Sequence, residues 1–211
     1  GLHISIGSVY AWSVLTRPIM VDMGFTLSQT TWTFSLAILM LGLSAGFLGS
    51  FAEKIGPKKS GLLAMLFWVT GLFGTAYALS IHNLTLLYLF YGIIGGIGLG
   101  IGYITPVSTL VKYFPNRPGF ATGLAIMGFG FASLIAGPLM QYLVAQVGLV
   151  DNFIILGIIY LVVMGASSLY LKAPQQKHLT RTTKDKSTMY VHNHGMLAND
   201  AMKTWQFGAL W

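Results

Sequence analysis

The sequence predicts an all-α membrane protein, a bundle of six transmembrane helices arranged as a 3+3 inverted repeat. Three observations carry that prediction. Hydrophobic residues make up 55% of the chain and charged residues only 8%, where soluble domains carry about 25% charged residues. Six apolar segments follow one another, each near the length of about 20 residues that a helix needs to cross about 30 Å of hydrocarbon. The cations are confined to alternate connections, as a multi-pass topology requires.

The segments are predicted at residues 2–21, 29–51, 60–81, 83–111, 117–147 and 152–172. The fourth and fifth are long enough to extend beyond the lipid. Lys172 to Lys203 holds Pro174, several Thr and basic residues without an apolar period, which predicts a flexible cytoplasmic linker over 173–201. Residues 202–211 are expected to open a seventh helix that is cut short. Together with the apolar run beginning at Gly1, this makes the chain a fragment in expectation. A basic leader and an Ala-x-Ala cleavage site are both missing, so no cleavable signal peptide is read.

Orientation follows from the charges. Lys54, Lys58, Lys59, Lys112, Arg117, Lys172, Lys177, Arg181, Lys184, Lys186 and Lys203 all fall after the second, fourth and sixth segments; only Arg17 lies on the other side. That asymmetry predicts a cytoplasmic N-terminus and a cytoplasmic 173–201 linker, in a multi-pass protein of the plasma (inner) membrane. Asp22 and Asp151 are predicted outside. The net charge of +7 does not point to nucleic acid, because the bases punctuate apolar helices instead of covering one water-exposed face.

An internal repeat supports the 3+3 arrangement. Leu36, Ala37, Ile38, Gly42 and Gly49 recur as Leu124, Ala125, Ile126, Gly130 and Gly137, a constant offset of 88 residues (124 − 36). Gly7, Tyr10, Arg17 and Pro18 are echoed more loosely by Gly100, Tyr103, Lys112 and Pro115. A three-helix unit repeated once must insert in opposite orientations.

Gly92, Gly96 and Gly100 sit at four-residue spacing within an apolar run, so they are expected to form a smooth face for close helix packing. A nucleotide-binding loop would instead need a preceding strand and a following soluble helix. The same packing role is expected for Gly123, Gly128, Gly130 and Gly137, and Pro138 is expected to kink its helix by removing a backbone donor. The absence of Cys removes thiol chemistry and disulfides. His178, His192 and His194 lack a carboxylate or Cys partner, so neither a metal nor another cofactor is expected. No H-E-x-x-H, G-x-S-x-G or paired membrane aspartates point to an intramembrane enzyme.

The connection from Gly49 through Glu53, Lys54, Gly56 and Pro57 to Lys58 and Lys59 resembles the G-x-L-A-D-R-x-G-R-K loop of the major facilitator superfamily, with Glu53 in place of Asp and Lys in place of Arg. Gly7 to Pro18, Gly102 with Tyr103, Lys112 to Gly119 and Ala121 to Gly130 together resemble the oxalate/formate antiporter family of that superfamily. Its bacterial monocarboxylate and pyruvate transporter-like members share the likeness, which runs from residue 1 to about 175. Gly137-Pro138 is similar to the core of an antiporter motif, with Gln141 and Tyr142 replacing its closing Gly-Gly.

The resemblance implies the N-terminal half of a facilitator fold, with a second six-helix half as its partner. It also implies alternating-access transport of a small organic anion of the oxalate, formate, pyruvate or lactate type, by exchange or by ion coupling. Carried over by position, Tyr10, Trp12, Tyr103 and Phe129 would line the substrate cavity. Val9 stands where some relatives have Gln. Tyr and Trp suit the task because they offer flat apolar walls and a hydrogen-bond donor without charge.

Gly49, Glu53, Lys54, Gly56 and Lys58 are expected to form a gating loop whose charge-assisted bonds differ between the two access states. An ionised side chain at the bilayer centre costs roughly 2.5–3.5 kcal/mol. The sequence is read as placing none near mid-segment, with His3 at the cytoplasmic end. That reading favours an antiporter over a proton-coupled symporter, with a non-transporting sensor or scaffold as the further alternative.

Overall fold

The computed structural model describes residues 1–172. The expected linker at 173–201, the expected seventh helix at 202–211, and His178, His192 and His194 lie outside the described residues.

Every regular element among the described residues is helical, and six helices are long and apolar enough to cross a membrane: α1 Leu2–Met23, α2 Leu27–Ile55, α3 Pro57–Ser80, α4 Leu84–Tyr113, α5 Pro118–Val147 and α6 Leu149–Tyr170. The chain is therefore built as an integral membrane protein. Its connections are short because local chemistry stops and restarts each helix. Gly24 closes α1 with φ +70°. The Thr26 hydroxyl then accepts from Gln29 N at 3.3 Å, while the Gln29 side chain accepts from Thr26 N at 2.9 Å, a reciprocal cap that starts α2. Asn83 caps α4 through Leu86 N at 3.0 Å.

The largest departure from the sequence reading is at the charged connection. Residues 49–55 are helical, and Gly56 alone reverses the chain before Pro57 opens α3. Gly56 has φ +84°, a conformation that costs a residue with a Cβ but not glycine. Proline suits the first helical position because its missing N–H is one the helix leaves unpaired anyway.

Inside the bundle, α4 runs between α2 and α3, α3 packs on α6, and the first turns of α1 lie against α4, α5 and α6. Lipid tails are as apolar as leucine, so hydrophobicity hardly drives helices together in a bilayer; close backbone approach does. The seams of α4 illustrate this. A Cβ on Gly96 would sit 2.6 Å from Met40 Cβ, and one on Gly100 would run into Ser44, so this row lies against α2 together with Gly92, whose neighbour is Leu36. A second row faces α3, where a Cβ on Gly98 would meet Trp68 N at 2.6 Å. Ser60 and Thr105 also join α3 to α4 through their hydroxyls, 2.6 Å apart. The core between the helices is filled by Trp68, Tyr91, Phe153, Leu15 and Leu72, all fully buried.

Helix α5 differs. Its regular course is interrupted at Phe131, seven residues before Pro138, with α-helix over Pro118–Gly130 and again over Ala132–Val147. The expected packing role of its glycines does not hold within the described bundle. A Cβ on Gly123 or Gly130 would meet nothing within 4 Å, and one on Gly128 or Gly137 only an ordinary neighbour at 3.9 Å.

Candidate functional site

Three of the four aromatic residues singled out in the sequence come together. Tyr10 from α1, Tyr103 from α4 and Phe129 from α5 pack edge to face. The Phe129 ring centroid lies 5.1 Å from Tyr10 and 5.3 Å from Tyr103. Such geometry brings the positive edge of one ring to the negative face of the next. Phe129 is buried and Tyr103 partly buried, whereas Tyr10 is 46% exposed, so the cluster is open on the α1 side. One helix from the first half of the repeat and two from the second thus present a semi-open aromatic wall.

Trp12 is not part of that wall. Two residues along α1 its side chain has turned into the opposite seam, where its ring lies 4.3 Å from Tyr91 and its indole N–H donates to the Thr30 carbonyl at 3.2 Å. With Trp68 and Phe153 around the same Tyr91 ring, Trp12 belongs to the interior packing that ties α1 to α2 and α4.

A residue the sequence reading set aside takes its place. His3 was expected at the cytoplasmic end of α1, away from mid-segment; it is buried to 7% exposure because the first turn of α1 wedges between α4 and α5. Its ring stacks on Tyr103 at 5.8 Å and 21°, and meets Phe129 edge-on at 5.9 Å. Nδ1 lies 2.7 Å from the Ala125 carbonyl oxygen and Nε2 lies 3.0 Å from that of Tyr103. The interior of this bundle therefore does hold an ionisable side chain. The available signal was the position of His3 seven residues before Tyr10, two helical turns along the same face.

The charged residues of the expected gating loop lie at the end of the bundle where α2 meets α3. Glu53 on α2 pairs with Lys112 on α4 at 3.3 Å, both side chains about half exposed. A cleft of about 80 Å³ beside them is lined by Ala52, Gly56, Thr105 and Ser108. Lys54 and Lys58 are exposed. Gly49 lies opposite Ile104, with 3.8 Å between that side chain and the place a Cβ would take.

Residues 2–207 fit the family model described as Major Facilitator Superfamily. The chain belongs to that superfamily. It is 33% identical over 177 residues to an uncharacterized MFS-type transporter, YhjX, of Escherichia coli (strain K12), covering 83% of this chain and 43% of that protein. It is 32% identical over 171 residues to human monocarboxylate transporter 12, covering 75% of this chain and 32% of the relative. With the oxalate:formate antiporter of Oxalobacter formigenes it shares 24% identity over 205 residues, 97% of this chain and 47% of that one. The chain spans less than half the length of these curated relatives.

Proposed function

We propose that the full-length protein carries small carboxylates across the membrane by alternating access, with this chain supplying one six-helix half. The observation that carries the reading is the convergence of Tyr10, Tyr103 and Phe129 from α1, α4 and α5 into one semi-open aromatic wall. Such a wall confines a small planar anion with apolar ring faces and phenolic donors, and adds no fixed negative charge to repel it. The names of two relatives, an oxalate:formate antiporter and a monocarboxylate transporter, agree with that chemistry.

The second six-helix half is the partner that would close the site. The lysine-bearing end of the bundle is the cytoplasmic one in this reading, and the membrane is the inner membrane. There the Glu53–Lys112 pair is a latch whose bond is made in one access state and exchanged in the other. Exchange of one carboxylate for another is the first reading of the mechanism. His3 inside the aromatic cluster favours a second, proton-coupled entry.

The test uses the full-length protein in liposomes loaded with unlabelled oxalate, formate, pyruvate or lactate, following entry of the labelled carboxylate in wild type and Tyr103→Ala. Uptake that needs internal carboxylate and collapses in the variant supports exchange at this site. Uptake that follows a proton gradient regardless of internal carboxylate supports symport. If none of the four enters, the substrate class is wrong.

A further inference from the structure

We infer that His3 is a proton-binding site that links protonation to the relative positions of α1, α4 and α5; the inference deepens the transport reading and rests on it. Its basis is a mismatch of donors and acceptors. Both ring nitrogens face backbone carbonyl oxygens, Ala125 at 2.7 Å and Tyr103 at 3.0 Å, and a carbonyl only accepts. A neutral imidazole carries one N–H and can serve one of the two; only the imidazolium, with two, serves both. In the neutral ring the other nitrogen turns a lone pair toward a carbonyl oxygen within hydrogen-bonding distance.

Binding a proton therefore ties α1 to α4 and α5 at once, and losing it frees one of those helices. The two carbonyls belong to the helices that also carry Tyr103 and Phe129, so the proton and the substrate wall share the same moving parts. The aromatic surroundings fit a cation as well. Tyr103 lies in a nearly parallel stack over the ring at 5.8 Å, within the range of about 6 Å over which the face of an aromatic ring attracts a cation.

The ionisable groups nearby are few. Tyr103 on α4 faces the ring directly. On its own helix there is the Tyr10 phenol, beyond Phe129. Helix α5 presents Ala125 and Phe129, and α6 approaches Gly1 with Ser167. Among these described groups no carboxylate competes for the proton. The bond that forms is N–H on the imidazole, the proton coming from water on one side of the membrane and leaving to water on the other.

Two measurements on the full-length protein test this. In liposomes, an inward proton gradient is expected to speed carboxylate uptake by about 5- to 150-fold, the range of an ordinary coupling free energy. His3→Gln, which keeps a neutral donor, should lose that factor, read as the ratio of uptake with and without the gradient in the same preparation. A variant with an unchanged gradient dependence overturns the proposal.

The second measurement needs no substrate. In ¹⁵N-histidine-labelled protein in nanodiscs, with His3→Gln identifying the resonance, the His3 ring is expected to pass from two protonated nitrogens to one as the pH is raised. A single neutral tautomer at every pH at which the protein stays folded refutes the proposal. If wild type carries no carboxylate while the ring still titrates, the substrate reading fails and the proton site stands.

Discussion

Replacing Gly98 by Ala tests whether close backbone approach, and not apolarity, holds this bundle together. The new Cβ would lie 2.6 Å from Trp68 N, 3.0 Å from the Ala64 carbonyl oxygen and 3.0 Å from Phe67 Cβ. Two of those three atoms are backbone, so no rotamer change relieves the contact and α3 must back away from α4. Overpacking a tight interior costs about 1–3 kcal/mol. Gly→Ala within a helix also gains about 0.8–1.0 kcal/mol of propensity, which would mask part of the loss.

Gly42→Ala provides the correction. Gly42 is helical on α2, with nothing within 4 Å of a Cβ, so it gains the propensity without the contact. The difference between the two variants isolates the seam. It should be about 1–3 kcal/mol, or about 5- to 150-fold in the folding equilibrium constant. The assay is SDS-induced unfolding of the 211-residue chain in mixed micelles, followed by Trp fluorescence, since Trp68 sits in the seam itself. Equal stabilisation by both substitutions would refute the reasoning, because the two backbones would then not be in contact.

Gly123→Ala on α5 should stabilise the same chain by up to about 1 kcal/mol, because a Cβ there meets open space; the same titration measures it. Trp12→Phe removes the indole donor to Thr30 and should cost about 0.5–1.5 kcal/mol of stability. In the full-length protein it should leave the KM for carboxylate unchanged, whereas Tyr103→Ala raises it. A double-mutant cycle on Glu53→Gln and Lys112→Met should give a coupling below about 1 kcal/mol, since both partners are half exposed, and 0.5 M salt should remove it. Residues 1–211 alone should not carry labelled oxalate into liposomes, because one half supplies only one wall of the cavity; robust uptake would contradict the proposed two-sided site.

The spans were legible because lipid imposes one rule on every helix, and the apolar runs record it directly. The caps were less so: Thr26 with Gln29, and Gly56 with Pro57, move the boundaries of α2 and α3 outward, so that a connection read as eleven residues is a single-residue reversal. The site was legible in part for a different reason. Tyr10, Tyr103 and Phe129 could be named by resemblance, and so was Trp12, although two residues past Tyr10 is about 200° around a helix of 3.6 residues per turn and so the opposite side. His3 escaped because distance along a helix from its terminus is a poor guide to depth once neighbouring helices extend past it.

The glycines of α4 and α5 make the same point about composition. Both helices are glycine-rich in sequence, and both were expected to use those glycines for packing. In α4 they do the work of two seams, one against α2 and one against α3, where any Cβ would collide. In α5, Gly123 and Gly130 face open space and Gly128 and Gly137 meet only an ordinary neighbour at 3.9 Å, beside exposed Leu124, Met127, Phe131 and Leu134. An apolar side chain exposed to lipid costs nothing, but a glycine there gives up helix propensity for no contact. The α5 glycines therefore have to be accounted for by something other than the packing of the described bundle. A surface that slides against the proposed second half, on a helix already interrupted at Phe131 and short of a donor at Pro138, is a use for them that needs no side chain at all.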